Sequence, residues 1–141
     1  SVLKRAGADT TVVRQLFRDD YNTFLYKAEI IKSSKIVFDK IIIGRLEREM
    51  EDSLLIAAQA ANELLNINGI EASFVITYMN NKIHISGRSI GNISAQLILE
   101  KLGGGGHLTS AGTQVDSTDI DEVEKRLIDV IAEYLKEGEK E

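Results

Sequence analysis

Four consecutive glycines, Gly103, Gly104, Gly105 and Gly106, followed at once by His107, constrain this chain more than any other feature. One glycine after a helix is an ordinary C-cap. Four in succession are not, because each is worse than alanine in regular structure by about 0.5–1 kcal/mol. Such a run makes physical sense where the backbone must approach another group closely. Successive N–H groups without side chains can turn inward and form a nest for an anion. The imidazole of His107 follows directly and can donate a hydrogen bond to a phosphate oxygen. Ser110, Ala111 and Gly112 stay small, which leaves room. A flexible loop carrying an exposed histidine is the plainer reading, and the small residues after His107 count against it.

The segments around the glycines alternate between helical and extended patterns. Val12, Val13, Leu16 and Phe17 recur at helical spacing, predicting a helix over 9–19 with Asp9 or Thr10 as N-cap. A second amphipathic run carries Tyr21, Phe24, Leu25, Ala28 and Ile31. Residues 35–38 and 41–46 are β-branched and apolar, a hairpin with Asp39-Lys40 as its turn. Leu54, Leu55, Ala57, Ala58, Ala61, Leu64 and Leu65 mark a helix over 52–66, ended by Asn68-Gly69. Residues 72–79 and 82–88 form a second hairpin, whose Asn80-Asn81 turn tolerates left-handed backbone. Ile83 and Ile85 share one face of its second strand. A helix over 93–102 follows, with Asn92 as cap, and residues 113–115 read as a short strand. The closing helix over 119–135 buries Ile120, Val123, Leu127, Ile131 and Tyr134. Helices and hairpins in mixture predict an α+β or mixed α/β domain: a mixed β-sheet with flanking helices, preceded by a helical connector. Residues 1–34 are expected to be that connector, 35–137 the domain and 138–141 a disordered tail.

A second chemical candidate is Ile85-Ser86-Gly87-Arg88-Ser89, at the end of a strand and before a helix. Arg88 can contact phosphate in bidentate fashion, and Ser86 and Ser89 add hydroxyl donors. His84 alternates with Ser86 and reads as an ordinary surface or core histidine. Asp19 and Asp20 diverge by about 100° on a helix and make no carboxylate pair. There is no HxxxH, Walker or Rossmann pattern, and two histidines far apart in sequence supply no evident metal site. The formal net charge of −5 argues against a long grip on duplex nucleic acid, but not against a small phosphorylated ligand. Cysteine is absent, which excludes disulfides and thiolate chemistry. No apolar run reaches membrane-spanning length. A first residue that is Ser, opening directly in helical sequence, gives the expectation of a longer parent protein.

Gly104-Gly105-Gly106-His107, two residues, then Ser110-Ala111-Gly112 resembles the signature of the DHH-associated C-terminal subdomain of DHH phosphoesterases. Ser110 stands where alanine is usual. The wider stretch, residues 68–76, Ile85 to Ser89 and 102–112, is similar to the cyclic-di-AMP phosphodiesterases of Gram-positive bacteria. The resemblance implies that Gly104, Gly105, Gly106 and His107 contact substrate phosphate, with Arg88 and Ser89 nearby. It implies two divalent metal ions, usually manganese, in a separate N-terminal DHH domain facing this one across a cleft. The fragment is then inactive alone, holds no cofactor and has no catalytic residue. It is a cytoplasmic domain, without membrane contact of its own, of a membrane-anchored parent, and a homodimer is compatible with it. The substrate is a cyclic dinucleotide, hydrolysed to a linear one. A short-oligoribonucleotide exonuclease, a non-enzymatic RNA-binding module and a structural dimerisation domain are the alternatives.

Overall fold

The computed structural model describes residues 10–102, 107–109 and 112–139, with side chains described for 21–102 and 112–138. Helix α1 spans Thr10–Ser33 without interruption. The sequence suggested two helices here. No glycine or proline lies between 10 and 33, so nothing forces a break. Strand β1 (Lys35–Val37) and strand β2 (Ile41–Leu46) pair antiparallel, with Val37 opposite Ile41. The left-handed pair in their loop is Phe38 (φ 53°) and Asp39 (φ 67°), one residue earlier than the expected turn.

Helix α2 (Ser53–Leu65) then crosses over to strand β3 (Ala72–Met79), which lies parallel to β2. On α2 the buried residues include Ile56, Ala57, Ala60, Ala61 and Leu64, whereas Leu54 and Leu55 are exposed. The alanines let the helix lie close to the sheet. Strand β4 (Lys82–Ser89) returns antiparallel to β3. Asn80 (φ 52°) and Asn81 (φ 62°) supply the two left-handed positions that a tight hairpin turn requires.

Helix α3 is shorter than its periodicity predicts, Ala95–Glu100. Ser94, not Asn92, caps it: its Oγ accepts from the Leu97 N–H at 3.2 Å. The Tyr134 hydroxyl fixes the approach by accepting from the Ser94 N–H (2.9 Å) and donating to the Asn92 carbonyl (3.2 Å). Strand β5 (His107–Thr109), which the sequence did not predict, pairs antiparallel with strand β6 (Gly112–Val115). Helix α4 runs Ile120–Glu139, and Asp119 caps it by accepting from the Asp121 and Glu122 N–H groups. Gly138 and Glu139, expected in the tail, belong to this helix.

The six strands form one mixed sheet in the order β1-β2-β3-β4-β6-β5. A core of Phe74, Ile76, Ile83, Ile85, Ile98, Leu127 and Ile131, among others, fills the face under α3 and α4. A second core of Ile30, Ile42, Ile56, Ala60, Leu64 and Val75, among others, fills the face under α1 and α2. Strands β2 and β3 are therefore buried on both sides, which explains their nearly continuous apolar sequence. On the α2 side the described helices pack chiefly over β2, β3 and β4, toward one side of the sheet.

Candidate nucleotide-binding face

Alternation along a strand sorts the residues of β4 between the two faces. Ile83 and Ile85 enter the core under α4, so His84, Ser86 and Arg88 fall on the α2 side. Residues directly opposite each other in an antiparallel ladder share a face. His84 stands opposite Thr77 on β3 and opposite Gln114 on β6, and Gln114 stands opposite His107 on β5. The register thus aligns Thr77, His84, Gln114 and His107 in one row across four strands. The two histidines, 23 positions apart in sequence, lie two strands apart, roughly 10 Å by the usual strand spacing.

Arg88 lies farther along the same face. Its Nε donates to Asn62 Oδ1 at 3.1 Å and its Nη1 to the Gly87 carbonyl at 2.7 Å. Asn62 belongs to α2, so the guanidinium is braced between helix and strand. Bracing of this kind lowers the entropy lost when a planar cation meets an oxyanion. Four residues along the strand and two strand spacings put the Arg88 and His107 Cα atoms roughly 17 Å apart. They do not clasp one oxygen cluster; they sit at opposite ends of one face.

The serines behave differently. Ser86 is on this face but buried at 2% exposure. Ser89 belongs to the opposite face, where its Oγ accepts from the Ala95 N–H at 2.9 Å and helps cap α3. Gly104, Gly105, Gly106 and Ser110 lie outside the described residues. For His107 only the backbone position is described.

His84 was read from sequence as an ordinary histidine. Its Nδ1 is buried and makes no hydrogen bond among the described residues, and the same holds for Thr77 Oγ1 across the ladder. Burial holds the His84 pKa below the ordinary 6.5. The sign of the linked stability follows. Between the lowered folded value and about 6.5, the unfolded chain binds more protons, so stability rises with pH across that window. The stability is complete above the unfolded value and lost as pH falls through the folded one. The urea midpoint is therefore expected to drop on acidification below neutrality, and the drop to shrink in His84→Gln. An identical pH dependence in the two proteins would remove His84 as its source.

Residues 39–137 match the model of the DHHA1 domain. The chain belongs to the DHHA1 domain family. The DHHA1 match begins at the first hairpin loop and ends within α4, so it spans both cores. Over 137 residues the chain is 44% identical to the cyclic-di-AMP phosphodiesterase PdeA of Listeria monocytogenes, covering 96% of this chain and 21% of that protein. It is 39% identical over 140 residues to the cyclic-di-AMP phosphodiesterase GdpP of Geobacillus thermodenitrificans, covering 98% of this chain and 21% of that protein. The chain thus spans about a fifth of the length of these curated relatives. An exopolyphosphatase-related protein from Bacteroides fragilis shares the fold, with a TM-score of 0.64 at 16% identity over 86% of this chain and 38% of that one.

No group of three or more His, Cys, Asp or Glu side chains converges among the described residues of this DHHA1 domain. No helix among the described residues is long and apolar enough to cross a membrane.

Proposed function

We propose that this DHHA1 domain is the substrate-binding part of a cyclic-di-AMP phosphodiesterase, and that the β4-β6-β5 face receives the nucleotide. The observation that carries this reading is the placement on one sheet face of a braced Arg88 and the register row ending at His107. Arg88 neutralises one anionic group of the ligand. The backbone donors of the glycine run and the His107 imidazole meet another. Two anchor points on one face orient a ligand as well as hold it, which is the contribution that positioning makes to catalysis. The relatives named for cyclic-di-AMP hydrolysis supply the substrate class.

Hydrolysis of the phosphodiester bond belongs, in this reading, to a separate DHH domain holding two divalent metal ions, manganese in the family resembled, that activate water. This chain alone is inactive. The exposed residues Tyr21, Phe24, Leu25 and Ile31 on α1 suit its role as the connector that packs against other parts of a longer parent. A cytoplasmic face of a membrane-anchored parent is the location this reading implies.

The test is calorimetric titration of cyclic-di-AMP into the wild-type chain and Arg88→Ala. A charge-assisted contact contributes about 1.5–3 kcal/mol, so affinity is expected to fall by about tenfold to a hundredfold. Arg88→Lys keeps the charge but not the planar fork and is expected to recover only part of it. Equal affinities in all three would remove Arg88 from the site. Tighter binding of short linear oligoribonucleotides than of the cyclic dinucleotide would turn the reading toward an exonuclease.

A further inference from the structure

Gln114 was not singled out by the glycine motif or by the arginine segment. It occupies the centre of the polar row, opposite His84 on one side and His107 on the other. It is half-exposed, and none of its side-chain hydrogen bonds is to another described residue. Next to it on β4 is His84, and beyond that on β3 is Thr77; His84 Nδ1 and Thr77 Oγ1 are buried without partners among the described residues. Those two atoms are closed to solvent, whereas Gln114 is partly open to it. Satisfied polar groups are the rule at the margins of a sheet, and a half-exposed amide without a described partner is placed to meet an external one.

A side-chain amide presents an N–H donor beside a C=O acceptor in one plane. Adenine presents the complement along one edge, an N6–H donor beside the N7 acceptor. Guanine presents two acceptors there, O6 and N7, and mismatches the amide oxygen. From Gln114, one strand spacing and four residues lead to Arg88, roughly 14 Å between Cα atoms. A nucleotide held by its phosphate at one end and its base edge at the other can bridge that separation.

We propose that Gln114 is a specificity-determining residue that reads the N6/N7 edge of an adenine base lying across β6. This rests on the reading of the face as a nucleotide site, and goes beyond it by naming the residue that reads the base.

The test compares the affinities of cyclic-di-AMP and cyclic-di-GMP for the wild-type chain and for Gln114→Leu. Leucine keeps the bulk and removes both hydrogen-bonding groups. The wild type is expected to favour the adenine ligand about tenfold. Gln114→Leu is expected to lose that preference by weakening cyclic-di-AMP alone. Gln114→Thr, a good strand former, is the second variant in case leucine perturbs folding, and circular dichroism checks both. An unchanged preference, or equal weakening of both ligands, would overturn the role of Gln114 while leaving the site intact. Failure of the wild type to bind either ligand would instead defeat the nucleotide site on which the inference rests.

Discussion

Phe74→Ala is expected to destabilise the chain by about 4 kcal/mol, the range found when a buried aromatic ring is removed. Phe74 is fully buried at the middle of β3, one of the two strands covered on both faces. Its ring packs against the backbone of β4 at Gly87. A Cβ there would lie 3.0 Å from Phe74 Cε1 and 3.3 Å from the Ala95 Cβ. The ring thus ties β3, β4 and the start of α3 together, and neighbours held by a sheet cannot collapse into the space it leaves. Urea denaturation of the variant should show a lower midpoint with an unchanged slope. A loss below about 1 kcal/mol would mean that the site relaxes far more than a close-packed core allows.

Gly112→Ala is expected to be nearly as severe, about 3 kcal/mol, at the upper end of what overpacking produces. A Cβ at Gly112 would lie 2.1 Å from the Ile85 carbonyl oxygen and 2.9 Å from His84 Cε1. The first of these atoms is backbone and cannot swing aside. Strand β6 must move away from β4, which breaks the register that brings Gln114 beside His84. The substitution should therefore lower the urea midpoint and weaken cyclic-di-AMP binding together. An alanine variant that keeps both would show that β6 does not lie where the ladder puts it. The small residue read from sequence as leaving room for a ligand is, at this position, required by the neighbouring strand.

Local patterns carried much of the fold. Asn80-Asn81 between two β-branched runs announced a hairpin, and Ile120, Val123, Leu127 and Ile131 announced the face of α4. Local rules failed where a neighbour decides. The three residues of β5 are too short to show alternation and exist through pairing with β6. Asn92 was a plausible cap in the sequence, yet Ser94 caps the helix and Tyr134, 40 positions away from Ser94, holds that segment. The candidate site divided in the same way. Arg88 stood out in the sequence because an arginine at a strand end before a helix is chemically conspicuous, and the fold braces it against α2. Ser89 looked equivalent to it, but alternation sends adjacent residues to opposite faces. Gln114 had no local signal, since its significance comes from standing between two histidines on different strands.

The most direct test of nucleotide binding on the β4-β6-β5 face is an amide-resolved NMR titration of this chain with cyclic-di-AMP. Shifts are expected at the backbone amides of His84, Arg88, His107 and Gln114, with little change along α4. Shifts centred instead on the cleft lined by Phe38, Leu97 and Tyr134 on the other side of the sheet, or none at millimolar ligand, would contradict it.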